Sequence, residues 1–239
     1  MTSWTNFKGS SEVKKTVLIL ILFLFFANNI HSQIGVKVGV SLSGLLSSNS
    51  DDFRPLLGNE IDWIQYGESR PIIGIQLGVF YRIKISDYFD FQPEINFVQR
   101  GYYFDQTPLY DTRYKVEINY IELPLIIKYK VPINIFNLDL FTGPFAAIKL
   151  NANRELVFEG RQDIKPLNSV ENFDFGIVAG LGSDINLGSG QVVLELRANY
   201  GLYNMMVQPE NYIDLYEEPI KVKNVGLALT TGYRFNIID

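Results

Sequence analysis

The sequence predicts an all-β chain, an eight-stranded antiparallel up-and-down transmembrane β-barrel. Three observations point to it. Apolar residues take every second place in about eight segments between Ile34 and Phe235. The places between them hold glycine, small residues and charges. The connections are alternately long and short. A strand sends successive side chains to opposite faces, so each segment has one oily and one polar face. Long loops at one rim and short turns at the other are the habit of membrane barrels.

The first strand sets Ile34, Val36, Val38, Val40 and Leu42 against Gly35, Lys37, Gly39, Ser41 and Ser43. The second sets Ile73, Ile75, Leu77, Val79, Tyr81, Ile83 and Ile85 against Gly74, Gln76, Gly78, Phe80, Arg82 and Lys84, and turns at Ser86-Asp87-Tyr88. The third opposes Phe89, Phe91, Pro93, Ile95 and Phe97 to Asp90, Gln92, Glu94 and Asn96. The fourth opposes Ile121, Leu123, Leu125, Ile127, Tyr129 and Val131 to Glu122, Pro124, Ile126, Lys128 and Lys130. The fifth carries Leu138, Leu140, Thr142, Pro144, Ala146, Ile148 and Leu150 against Asp139, Phe141, Gly143, Phe145, Ala147 and Lys149. The sixth carries Phe173, Phe175, Ile177, Ala179 and Leu181 against Asp174, Gly176, Gly180, Gly182 and Asp184, and turns at Leu187–Gly190. The seventh sets Val192, Leu194, Leu196, Ala198, Tyr200 and Leu202 against Glu195, Arg197, Asn199 and Gly201. The eighth sets Val225, Leu227, Leu229, Thr231, Tyr233 and Phe235 against Gly226, Ala228, Thr230, Gly232 and Arg234.

Long loops are expected near 44–71, 104–115, 151–171 and 204–220, and short turns near 86–88, 132–137 and 186–190. A soluble sandwich also alternates, but its polar face meets water. Small residues on the polar face suit a crowded lumen better. Three prolines lie inside strands: Pro93, Pro124 and Pro144. Each removes a ladder hydrogen bond, and a bulge is expected at the inward Pro124.

Residues 1–32 read as a secretory signal peptide, and residues 33–239 as the barrel domain. Lys14 and Lys15 precede eleven unbroken apolar residues, Val17 to Ala27, which are too few to span a bilayer. Cleavage is expected after Ser32. The leader takes with it Lys8, Lys14, Lys15 and Glu12, so 21 basic and 26 acidic side chains become 18 and 25, a net charge of −7. So acidic a chain is unsuited to nucleic acid. The chain has no cysteine, and its single histidine, His31, lies in the leader. That excludes Ser-His-Asp triads, Cys-His pairs and ordinary zinc sites. No catalytic, cofactor or metal residues are assigned, and the chain is read as a non-enzyme.

An eight-stranded barrel is wide enough only for its own side chains. Arg82, Lys84, Lys128, Lys149, Arg197 and Arg234 are expected inside with Asp90, Glu94, Glu122, Asp139, Asp174, Asp184 and Glu195, as a salt-bridged plug. Function is then left to the loops. Asp51, Asp52, Glu60, Asp62 and Glu68 accompany Trp63 and Tyr66 in the first; Glu210, Asp214, Glu217 and Glu218 accompany Tyr212 and Tyr216 in the last. No Asp-x-Asp-x-Asp-Gly calcium loop is present.

Several of these segments resemble a known family. Tyr120-Ile121-Glu122-Leu123-Pro124-Leu125-Ile126-Ile127-Lys128-Tyr129 resembles the strand motif of the PorT-like outer-membrane β-barrel family of Gram-negative Bacteroidota. Gly35–Ser43, Gln92–Gly101 and Phe175–Gly182 are similar to its opening, third and sixth strands. The resemblance implies an eight-stranded barrel in the cell outer membrane, in contact with lipid and lipopolysaccharide. The even strand number implies that both termini are periplasmic.

The expected role is structural, or surface binding and adhesion through long extracellular loops that take a protein or glycan ligand. The alternatives are a PorT-like component of protein secretion or a narrow porin. A monomer is expected. It is delivered by the barrel-assembly machinery, for which Phe235 near the end of the last strand is the candidate recognition residue; the alternative is that Phe235 is an interface girdle aromatic, and the two roles are compatible.

Overall fold

In the computed structural model the described residues are 32–47, 69–104, 112–132, 137–158, 161–205 and 222–235. The signal peptide up to His31 and the acidic stretches 51–68 and 210–218 lie outside them. Among the described residues nine strands form: β1 (Ser32–Ser47), β2 (Ser69–Lys84), β3 (Phe89–Phe104), β4 (Thr112–Val131), β5 (Leu138–Phe158), β6 (Arg161–Pro166), β7 (Phe173–Leu187), β8 (Gly190–Gly201) and β9 (Val222–Phe235). Eight of them close a ring in the order β4-β3-β2-β1-β9-β8-β7-β5, and β4 pairs with β5. The short β6 adds to the outer part of β5 only, from Asn153↔Pro166 to Phe158↔Arg161. A closed ring leaves no unpaired edge, which hydrocarbon would not tolerate.

The predicted faces hold in all eight barrel strands. In β1, Ile34, Val36, Val38, Val40 and Leu42 point outward and stay exposed, while Gly35, Lys37, Ser41 and Ser43 are buried inside. In β8, Leu194 and Leu196 face outward and Glu195 and Arg197 inward. The outward apolar band is bordered at the turn end by aromatic pairs, Phe89–Tyr129 at 5.2 Å and Tyr233–Phe235 at 4.9 Å. At the loop end Phe175 and Tyr203 pair at 5.6 Å. Soluble monomers rarely expose so continuous an apolar surface, and on a closed ring with a polar interior it is the face that hydrocarbon covers.

The strands run further toward the loops than the alternation predicts. β3 continues to Phe104, β4 begins at Thr112, and β5 reaches Phe158. The expected loop at 151–171 is therefore largely strand, and of the one at 104–115 the two ends, Phe104 and Thr112–Lys115, are strand while 105–111 lie outside the described residues. The turn ends match more closely: β7 and β8 are joined across Gly188-Ser189, where Gly188 takes φ of 61°, a conformation suited to glycine in a two-residue hairpin turn.

The prolines behave differently from expectation. No bulge forms at Pro124. Pairing of β3 with β4 lapses between Pro93↔Leu125 and Asn96↔Glu122, then resumes in the same register. Pairing of β4 with β5 lapses in the same way between Pro124↔Phe145 and Ile127↔Thr142. The three prolines lie side by side on neighbouring strands, so their missing donors fall in one shared gap and no strand needs an extra residue. The bulge in β4 pairing comes instead at Asn119/Tyr120, and another interrupts β2–β3 between Pro71 and Gln76. Opposite that second irregularity, Ser43 Oγ accepts from the Gly101 N–H at 2.9 Å and Ser41 Oγ donates to the Gln99 carbonyl at 3.1 Å. These hydroxyls satisfy backbone groups that a bulge frees.

Candidate functional site

Buried charged and polar side chains crowd the lumen. Its buried charges are six cations (Lys37, Arg82, Arg100, Lys128, Arg197, Arg234) and seven carboxylates (Asp90, Glu94, Glu122, Asp139, Asp174, Asp184, Glu195). Lys130, at the rim, supplies the balancing cation to Asp90 at 2.9 Å. Ionised groups out of water need partners and full hydrogen bonding, and here they meet in three tiers.

The middle tier centres on Glu94 and Glu195. Arg197 donates Nη2 to Glu94 Oε1 at 2.6 Å and Nη1 to Oε2 at 2.8 Å, a two-pronged pairing that suits the planar guanidinium. Its Nε donates to Glu195 Oε2 at 2.9 Å. Lys37 also pairs with Glu94, and Lys128 donates to Glu195 at 2.5 Å. Gln92 and Asn96 complete the shell of Glu94 at 2.6 and 2.9 Å. Toward the turns, Arg82 and Arg234 converge on Asp184, the latter at 3.0 Å. Toward the loops, Arg100 pairs with Glu122 and lies 3.5 Å from Asp174, which accepts from Asn224 at 2.8 Å.

Inward glycines make room for phenyl rings among these charges. Gly180 pairs across the ladder with Phe141, and Gly176 with Phe145. A Cβ on either would lie 2.5 or 2.7 Å from the ring. Cations stand over the same rings: Lys128 and Arg197 each 5.2 Å from the centre of Phe141, and Arg100 5.2 Å from that of Phe145. Such approaches within about 6 Å are attractive.

Two of the expected lumen cations belong elsewhere. Lys84 sits at the turn rim, its ammonium 2.8 Å from Asp87, whose carboxyl that hydrogen bond holds below its ordinary pKa. Lys149 is half-buried and donates to the Val170 carbonyl. Lys37 and Arg100, by contrast, are full members of the plug. The sequence marked Lys37 by its inward place; Arg100 lies beyond the stretch where the alternation is clear.

Above the third tier the interior turns apolar. Leu45, Tyr102, Tyr114, Val116, Ile118, Leu167, Val170, Met205 and Val222 pack into one buried cluster. The outward face changes in the opposite sense: Lys115 and Glu117 pair with each other, and Asn119 Nδ2 donates to Asn151 Oδ1 at 2.8 Å. Apolar inside and polar outside is the arrangement of a sheet in water. The outer parts of β4 and β5, with β6, therefore stand clear of the membrane. Among the described residues no group of three or more His, Cys, Asp or Glu is placed to hold a metal ion.

A model of the outer membrane protein beta-barrel domain matches residues 26–207. The chain belongs to this family. Membership in the outer membrane protein beta-barrel domain family puts the barrel in the outer membrane, in keeping with its oily girdle. The match ends before β9, but the register itself sets β9 in the ring, from Ile34↔Phe235 to Ser47↔Val222 on one side and from Gly190↔Phe235 to Tyr200↔Val225 on the other.

Among solved structures, Ail, the attachment invasion locus protein of Yersinia pestis, is similar at 14% identity, covering 86% of this chain and 100% of that one with a TM-score of 0.40. OprG from Pseudomonas aeruginosa is similar at 14% identity, covering 87% and 97%, TM-score 0.43. Neisserial surface protein A follows at 12%, covering 85% and 97%, TM-score 0.38. No curated protein matches the chain.

Proposed function

We propose that this outer-membrane barrel is a plugged, non-conducting scaffold that carries a binding or adhesion surface on its water-exposed extension. The observation that supports this is the lumen itself. Three tiers of paired charges, closed at the loop end by the apolar cluster around Val116 and Ile118, leave no lane for ions. An ion crossing it would have to part Arg197 from Glu94 and Glu195, all of them buried and mutually bonded. With transport set aside, the part of the described residues that reaches beyond the membrane is the sheet of β4, β5 and β6. Its β6 is exposed along its whole length.

In this reading the leader Met1–Ser32 directs export and is removed, and both termini of the ring lie on the periplasmic side. The short turns share that side, and the extension points outward. Phe235 serves the assembly machinery, lipid and lipopolysaccharide surround the girdle, and a protein or glycan docks on the extension of a monomeric barrel. The finer placement among PorT-like members rests on Tyr120–Tyr129. The role is non-enzymatic, since the barrel domain has no histidine or cysteine to act as base or nucleophile near neutral pH.

Planar-bilayer recording tests the plug. Purified barrel is expected to give no steady channel. A sustained open state in the unmodified protein would overturn the reading and favour a narrow porin.

A further inference from the structure

The outward wall is not evenly convex. Near its loop end, where β7, β8, β9 and β1 run side by side, an open apolar groove of about 660 Å³ is cut into it. Two rows of paired residues make it. Ala179, Ala198, Leu227 and Leu42 stand opposite one another in the lower row. Ile177, Tyr200, Val225 and Gly44 do so in the upper. Small side chains beside large ones leave a hollow bounded by Tyr200 and Leu227. It lies in the membrane-facing band, so its occupant belongs to the bilayer: a lipid chain or another barrel.

Lys223 decides between the two. It sits two residues loopward of Val225 on the same outward face. Its ammonium stands 5.2 Å from the centre of the Tyr200 ring and 3.4 Å from the phenol oxygen. Among the described residues no carboxylate pairs with it. A tyrosine and a lysine at that height are the residues that meet lipid headgroups, and a cation there favours an anionic one. A second copy would bring its own apolar band, and Glu117, the outward carboxylate of β4 near the edge of that band, is already paired with Lys115.

We propose that this groove is a binding site for a phosphate-bearing membrane lipid, with an acyl chain laid over Ala179 and Ala198 and the phosphate held by Lys223. The inference rests on the membrane-spanning reading above but not on the plug.

The test is native mass spectrometry of the purified barrel in micelles containing phosphatidylglycerol or phosphatidylcholine of matched chains. Wild type should retain phosphatidylglycerol about fivefold more than phosphatidylcholine, the preference expected of one interfacial cation. Lys223→Gln should abolish the preference. Ala198→Leu, which fills the groove, should reduce retention of both lipids. A heat-dependent shift in gel mobility confirms that each variant is folded.

Equal retention by the wild type overturns the proposal, as does a preference that survives both substitutions. Full competition by inorganic phosphate would reduce the site to an anion contact and also overturn it. So would a dimer abolished by Ala198→Leu, which would give the groove to a second copy. A conducting barrel that still prefers phosphatidylglycerol would sink the plug alone.

Discussion

In β4 the even-numbered side chains point inward all the way from Tyr114 to Lys128. What they are made of changes part-way along. From Ile121 to Tyr129 the outward residues are Ile121, Leu123, Leu125, Ile127 and Tyr129, and the inward set includes Glu122 and Lys128. From Tyr114 to Tyr120 the outward residues are Lys115, Glu117 and Asn119, and the inward ones are Tyr114, Val116, Ile118 and Tyr120. The geometry is continuous; only the solvent outside has changed, from hydrocarbon to water. The polarity of each face follows what it touches, so the reversal at Asn119–Ile121 marks the membrane boundary, and the bulge at Asn119/Tyr120 sits on that line.

Substitutions in this one strand can break or sharpen the contrast. The largest effect is expected inside the membrane part. Glu122→Ala leaves Arg100 buried with Asp174, at 3.5 Å, as its one remaining carboxylate among the described residues, and removing one member of a buried pair costs about 3–5 kcal/mol. Urea titration of the barrel in vesicles, followed by the heat-dependent gel shift, reads it. A loss near zero would mean that water reaches this tier. Next comes the outer face at mid-membrane. Leu125→Arg should cost about 2–4 kcal/mol. If the cost were negligible, Leu125 would not face hydrocarbon.

How much of this the sequence discloses follows from the same contrast. The inward and outward faces of all eight strands were legible because hydrocarbon outside and charge inside reinforce a period of two. The outer parts of β3, β4 and β5 were not, because there the polar and apolar sets change places and a window spanning the boundary sees mixed signals. Arg100 was missed for that reason. The partners in the plug were illegible for another: Glu94 and Arg197 are 103 residues apart, and they meet only when the ring closes with a definite stagger. The prolines needed the same knowledge. Pro93, Pro124 and Pro144 look like three separate defects until three registers place them together.

Above the boundary the effects should shrink and change sign of logic. Ile118→Val removes one methylene from the apolar cluster and should cost about 0.5–1.5 kcal/mol, as in a water-soluble core. The smallest effect is expected at Glu117, on the outward face of the same stretch. It pairs with Lys115, and both side chains are 33% exposed. Exposed pairs contribute about 0.2–1 kcal/mol and are screened by salt, so Glu117→Gln should lie at the bottom of that range and vanish in concentrated salt. Glu117→Leu is the sharper variant. In hydrocarbon it would stabilise the barrel; in water it should leave stability nearly unchanged and make the folded protein prone to association. Measuring both by the same urea titration and by sedimentation places residue 117 on one side of the boundary. A clear gain in stability with no association would move the boundary outward past Glu117 and take the water-facing extension with it.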